Sequence, residues 1–392
     1  MKVADVLPDE LKGANADYYD IISYKTSYRL AQKQASFVVI KERRPVIQEK
    51  ATKKLITTPA PARVFDNSLA DVSFLAGMLV DKFLYRLPLH RQHQRLAAAG
   101  ITLSRSLLTQ LTAKAIALLK PVVDAQYQNV LLSQALALDK TPIKAGRKGP
   151  GKMKQGYFWP MYGDQGEMVF RYCSSRSDQH LAPLNAEITH AQCWAHTRRC
   201  FERALTLEPE AAGEALAMIG ALYRHEEQIR NSKLTGWAKK EYRQIHSTPV
   251  VDTFWLWCKK QCQRLDLTPT NPLSNALNYA MSRVESLEVF LTDPDVAIDT
   301  NHLERGLRPI PMGKKAWLFC WTESGAEDVA AIQSLLTTCR IHNVNAYTYL
   351  VDVLQRVSVH PASQVQELTP RVWKRKFSEN PMRSVVESVN EY

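Results

Sequence analysis

The sequence predicts an α/β protein, and three observations carry the prediction. Helical periodicity runs from Leu69 to Lys120, short apolar runs of strand length follow between Ala135 and Trp194, and helical patterning then fills most of the remainder. A chain of 392 residues, 45% hydrophobic and 23% charged, has material for about two or three domains with cores of their own. Lys plus Arg number 51 against 39 Asp plus Glu, a formal net charge of +12. An excess of that size argues for a polyanionic partner, nucleic acid first. The opening MKVADVLPDELKG holds acidic residues and no apolar segment of the signal-peptide kind, and Lys or Arg interrupts the long apolar stretches. A cytosolic, nucleoid-associated protein with no membrane partner is expected.

Residues 1–68 form a β-rich segment and linker, with FVVI at 37–40 as the strand-like patch and LITTPAPARVF as the linker. Residues 69–125 form a helical domain. Leu69, Val72, Leu75, Leu79, Phe83 and Leu84 recur near helical period, and Pro88 stops that helix. HRQHQRLAAAG is a second helix closed by Gly100. Ser104 is a candidate N-cap for a third, SRSLLTQLTAKAIALLK, with a change of character after Pro121. Helix, glycine-containing turn, helix is the helix-turn-helix pattern, in which the second helix offers its first side chains to the major groove. Arg105, Ser106, Thr109 and Gln110 would form that face, with Arg91, His93 and Arg95 near phosphates. A plain helical domain with a basic surface is the alternative.

Residues 126–335 carry the strands: ALALD at 135–139, GYFWPMYGD at 156–164, EMVFRYC at 167–173 and ITHAQCW at 188–194. A meander whose first strand ends in Asp, followed by helices, predicts a ribonuclease-H-like core. A large helical insertion occupies about 195–289, and residues 336–392 are a helical C-terminal segment. The seven cysteines are scattered, so they read as reduced thiols. Cys258 and Cys262, at helical spacing beside Trp255 and Trp257, read as core thiols. His190, Cys193, His196 and Cys200 have metal-ligating side chains but lack the second knuckle of a structural zinc site.

Asp139 closes an apolar run, so its carboxylate can reach outward while its strand stays in the core. Lys140, Lys144, Arg147, Lys148, Lys152 and Lys154 follow in a loop cationic enough to lay a DNA backbone over the acid. Glu304 falls one turn into a short helix that Asp299 or Thr300 can cap and Pro309 ends, with Arg305 and Arg308 nearby. From the residues alone, an exposed Glu304–Arg308 pair is the favoured account.

Several blocks now become recognisable together. LALDKTPIKAGRKGPGKMKQGYFW resembles the segment around the first catalytic Asp of the insertion-sequence-66 transposases, although Lys140 stands where an acid commonly follows. THAQCWAHTRRCFERA resembles their strand and helix after the second Asp, NHLERGLRPIPMGKKAWLFCW the block around the catalytic Glu, and LLTTCRIHNVNAYTYLVDVLQRV their C-terminal segment. The resemblance implies a DDE-type transposase that cleaves and joins DNA at the ends of a mobile element. Two divalent ions, Mg2+ or Mn2+, would sit about 3.5–4 Å apart on converging carboxylates. Asp139 and Glu304 would be catalytic metal ligands, Asn301 and Arg305 would flank them, and Lys314 and Lys315 would contact DNA phosphates. The implied partners are the terminal inverted repeats, target DNA, further copies of the chain and accessory proteins of the same element.

Two departures qualify that picture. The family's second catalytic Asp lies in an Asp-Gly-Tyr motif preceded by a helix, between the hairpin and THAQCW; here RYCSSRSDQHLAPLNAEITHAQCW crosses in about fifteen residues, too few for a helix plus a strand. Asp178 is the nearest acid left. An internal deletion is therefore expected, removing the strand that would lie beside the one bearing Asp139 and impairing this copy. The cysteine-rich segment that precedes the helical domain in many relatives is also missing, since the first cysteine is Cys173. The rival expectation is a catalytically dead DNA-binding protein, or an inhibitor of an intact relative.

Overall fold

A computed structural model describes residues 63–66, 68–150, 152–175, 191–317 and 322–384, with 46–48, 55–57 and the single residues Phe37, Thr189, Cys320 and Val386. By contacts the chain divides into a unit of residues 1–39, of which only Phe37 is described, and a unit of residues 40–392. The β-rich patch expected at 37–40 thus lies almost wholly outside the described residues. Strand structure appears downstream instead, as an antiparallel pair β1 (Val46–Gln48) and β2 (Leu55–Thr57), so the expected linker begins as a strand.

Three helices follow: α1 (Val72–Phe83), α2 (Leu89–Ala98) and α3 (Arg105–Leu131). The Asp71 side chain caps α1 by accepting the Ser73 N–H at 2.9 Å, and Ser104 caps α3 by accepting the Leu107 N–H at 3.1 Å. Gly100, at φ 80°, takes the left-handed turn that ends α2, where a side chain would be strained. The third helix does not stop at Pro121. It continues for ten residues because Val122, Val123, Gln126, Tyr127 and Val130 are buried on the sheet side, while exposed Pro121 places its lost hydrogen bond toward solvent. By length and composition α3 could also cross a membrane; here its apolar stripe is core.

The sheet is small and antiparallel. β3 (Leu136–Leu138) and β4 (Thr141–Gly149) both pair with one edge of β5 (Lys152–Gly163), through Leu138 opposite Met161 and Thr141 opposite Phe158, and β6 (Met168–Cys173) pairs with the other edge. β3 and β4 are thus one strand interrupted at Asp139 and Lys140, and the Asp139 N–H still reaches the Pro160 carbonyl at 3.3 Å. The cationic segment 140–154 is not a loop, as expected, but the arm of the β4–β5 hairpin: alternating buried Thr141, Ile143 and Ala145 hold it as strand. The outer edge of β4 is bridged in parallel at Ala145 by Cys320; among the described residues nothing else pairs with that edge.

Helix α12 (Glu323–Ile341) closes the opposite edge. Ser334 accepts the Phe170 N–H at 2.9 Å, Thr338 accepts the Met168 N–H at 3.0 Å, and Gln126 of α3 donates to the Met168 carbonyl at 2.8 Å. Gln333 donates to the Phe83 carbonyl at 2.9 Å, tying α1 to the same helix, and α13 (Ala346–Arg356) packs on α1.

The helical stretch expected at about 195–289 is present as α4 (Trp194–Ala204), α5 (Pro209–Asn231), α6 (Gly236–Tyr242), α7 (Thr248–Cys262), α8 (Pro272–Met281) and α9 (Val284–Thr292). Its core gathers Trp194, Phe201, Ile219, Phe254, Leu277 and Phe290. Fully buried Arg243 is neutralised by Glu226 in two hydrogen bonds of 2.7 and 2.9 Å. Cys258 is in this core as expected, whereas Cys262, at the helix end, is exposed. The strand expected over ITHAQCW is not seen: Ile188 and His190 lie outside the described residues, and Ala191–Cys193 form an irregular lead-in to α4. Gln192 gives its N–H to the Ser286 carbonyl, not to a strand. Helices with a four-stranded antiparallel sheet and a separate two-stranded one meet the α/β expectation in its coarse form.

Thr338→Val should destabilise the protein by about 1–3 kcal/mol, since the buried Met168 N–H then has no acceptor. Urea denaturation checks this; an unchanged midpoint would mean that the strand edge finds another partner.

Candidate functional site

Glu304 lies on α10 (Asn301–Leu307), which ends before Pro309, the first residue of α11 (Pro309–Trp317). Thr300 is the N-cap position but offers no side-chain bond; Asp299 accepts the Asn301 N–H at 3.1 Å instead. The helix lies against the sheet face that carries Tyr162 and Met168. His302 packs edge-on to Tyr162 with ring centres 4.8 Å apart. A Cβ at Gly306 would fall 2.3 Å from the Met168 sulfur, so any larger residue would force that buried side chain to shift. Ala137 is opposite Tyr162, and strand alternation puts Asp139, two residues on, on that same face. The fold therefore brings the two candidate carboxylates to one side of the sheet.

Their immediate partners differ from expectation. Glu304 does not pair with Arg308. One oxygen accepts from Arg199 Nη2 at 2.6 Å and the other lies 3.6 Å from His196 Nε2, both on α4. The hydrogen bond to Glu304 leads the causes that raise the Arg199 pKa. Next to them is the Cys193 sulfur, which accepts the Thr300 N–H at 3.4 Å. Burial alone would raise this thiol, but hydrogen bonds from His196 and Thr300 outweigh it and bring it below its ordinary value. His196 is raised, first by its bond to Cys193 and further by the Cys193 and Glu304 charges, against the lowering effect of burial. Asp139 accepts the N–H of Lys140 at 2.7 Å, and the Lys140 ammonium sits 5.1 Å above the Trp159 ring.

These residues do not fit a pair of divalent ions. Glu304 already faces the Arg199 guanidinium, Asp139 is the other carboxylate implied by the resemblance, and among the described residues no group of three or more His, Cys, Asp or Glu is arranged to hold a metal. Asp178 lies outside the described residues.

The candidate DNA contacts are spread over three elements. Arg105 and Gln110 are exposed at the start of α3, with Ser106 and Thr109 beside them. Lys144, Arg147, Lys148 and Lys152 are exposed along the β4–β5 arm, while Lys154 pairs with Glu323 at 2.7 Å. Arg305 is exposed on α10. Lys314 and Lys315 fall in α11, and their side chains lie outside the described ones. His93 and Arg95 are engaged within the helical region, with the Leu103 carbonyl and Asp81 respectively. Sequence reasoning missed Arg199 and His196 as partners of Glu304. Their spacing of three puts them on one helical face, which was the available signal, but nothing local pointed to an acid 105 positions on.

A sequence profile described as the transposase IS66 family matches residues 67–185 and 181–328, and one described as the IS66 C-terminal element matches residues 334–371. The chain belongs to the transposase IS66 family. It is similar to two uncharacterized proteins of Sinorhizobium fredii (strain NBRC 101917 / NGR234): y4hP, 29% identical over 364 aligned positions that draw on 81% of this chain and 65% of y4hP, and y4qI, 28% identical over 389 positions that draw on 89% of this chain and 71% of y4qI. The chain thus spans about two thirds of the length of these relatives. No solved structure matches it. Its match to the IS66 family breaks at residues 181–185, within the crossing where no Asp-Gly-Tyr motif occurs.

In a double-mutant cycle, Arg199→Ala and Glu304→Gln should couple by about 0.5–1 kcal/mol in urea denaturation, a modest value because both groups are partly exposed. Coupling to Arg308 with none to Arg199 would reverse the assignment.

Proposed function

We propose that this chain descends from a transposase that cleaves and joins DNA at the ends of its mobile element, and that this copy binds those ends without performing the chemistry. One observation carries the reading: the family match falls into two stretches that meet at residues 181–185, where the second catalytic Asp of the family would lie. Two others support it. In a ribonuclease-H-like sheet, the strand bearing that Asp would run beside β3 and β4, and Cys320 is the one described partner of that edge. In both relatives the aligned length exceeds the share of this chain it draws on, as an internal deletion requires.

Binding itself is assigned to the charge and to two surfaces. The +12 charge supplies attraction. The hairpin arm with Lys144, Arg147, Lys148 and Lys152 would follow the phosphate backbone, and residues 69–125, as a helix-turn-helix, would present Arg105 and Gln110 to base edges. A second reading, an active enzyme, rests on Asp178, the acid that could replace the lost ligand.

A strand-transfer assay on labelled element ends, with Mg2+ or Mn2+, should give no joined product from this chain. Product that disappears with Asp178→Ala would favour the active reading. Replacing Arg105 and Gln110 by Ala should lower the preference for element ends more than the affinity for random duplex, because base contacts specify while phosphate contacts position. An equal loss of both would make this surface an unspecific one.

A further inference from the structure

One helix of the insertion carries an exposed apolar line. α6 continues through a single turn of π-helix, Arg243–Ser247, into α7, so residues 236–262 form one continuous helix. Trp237, Ile245 and Leu256 on it are 72%, 61% and 68% exposed. In an uninterrupted α-helix Trp237 and Ile245, eight residues apart, would point about 80° away from each other. The π turn takes up about one extra residue and brings them onto one face. The same turn keeps Arg243 and Ser247 buried on the core side, where Arg243 pairs with Glu226. Leu256 follows eleven residues after Ile245, about three turns, and so falls on the exposed face too. From Trp237 to Leu256 the line is about 28 Å long, at 1.5 Å per residue.

Single exposed apolar residues are ordinary on a protein surface, but large ones in line over this length mark an association surface. Charge says which partner fits it. Glu241 and Lys260 are exposed on the same face, one turn after Trp237 and one turn after Leu256 respectively. A second copy of the helix laid parallel and in register would set Glu241 against Glu241 and Lys260 against Lys260. Laid antiparallel about a two-fold axis beside Val250 and Val251, it sets Ile245 opposite Leu256, Glu241 opposite Lys260 and Pro249 opposite Asp252, each pair occurring twice. The apolar pairs then lie inside the charged ones, as in an interface with an apolar centre and a polar rim. At each end Trp237 reaches the turn that holds Leu265, which is wholly exposed.

We propose that two copies of this chain associate through the helix of residues 236–262, packed antiparallel on its Trp237–Ile245–Leu256 face, an inference that does not depend on the DNA-binding reading. The test is sedimentation velocity of the full chain without DNA over a concentration series, which should show a monomer–dimer equilibrium. Leu256→Gln should weaken the dimer about tenfold or more, because two leucines lose their cover. Its side chain is exposed in the monomer, so the melting temperature of the dilute protein should stay unchanged. Glu241→Lys and Lys260→Glu should each weaken the dimer about three- to tenfold, since both symmetry-related pairs turn from attraction to repulsion. The chain carrying both changes should regain the wild-type affinity, because opposite charges face each other again across the axis. Single charge variants without effect, or a double variant no tighter than they are, would overturn the antiparallel register. A dimer that Leu256→Gln leaves at wild-type affinity would place the contact elsewhere and overturn the proposal. A chain that stays monomeric at every concentration would overturn it as well and leave the apolar line to an unlike partner.

Discussion

Two hydroxyl groups and one amide hold the sheet to the helices. A strand at the rim of a sheet turns half of its N–H and C=O groups away from its neighbour, and each one buried without a partner costs about 1–3 kcal/mol. On β6 these groups belong to Met168 and Phe170, and Thr338 and Ser334, four residues apart on α12, receive them. The geometry suits the task, since four helical residues advance about 6 Å and two strand residues about 6.7 Å. A helix can therefore end a sheet, provided that small hydroxyl side chains stand at that spacing.

Much else follows from the position of α12. Gln126 brings α3 to the same carbonyl, and Gln333 brings in the end of α1. Met168, fixed between Tyr162 on β5 and Thr338 on α12, is also the side chain against which Gly306 lies, so the edge that α12 closes sets the height at which α10 crosses the sheet. Glu304 is carried there by α10, and α4 meets it through Arg199 and His196. The helical insertion is thereby attached to the sheet side of the molecule by charge as well as by packing.

That attachment bears on what the chain can do. A carboxylate used as a metal ligand must give its negative charge to the ion, whereas here one oxygen of Glu304 accepts from the Arg199 guanidinium. The opposite edge of the sheet is paired only at Ala145 among the described residues, and the IS66 family match falls into two stretches that meet at 181–185.

The sequence by itself determined the local elements. Ser104 as a cap, Gly100 as a stop, the β5–β6 hairpin and the helix after Thr322 were all legible, because capping, left-handed turns and apolar periodicity are decided within a few residues. The acid at Asp139 was legible for the same reason, and so was the family, whose blocks are contiguous stretches. Tertiary structure decided what depended on distant partners. Pro121 stays helical because buried neighbours outweigh one lost hydrogen bond, and the cationic stretch becomes a strand because Thr141, Ile143 and Ala145 are buried and Cys320 pairs with its edge. Glu304 finds Arg199 and not Arg308 because packing brings α4 to α10 and sets the Arg199 guanidinium 2.6 Å from its carboxylate, a relation that long-range packing alone establishes.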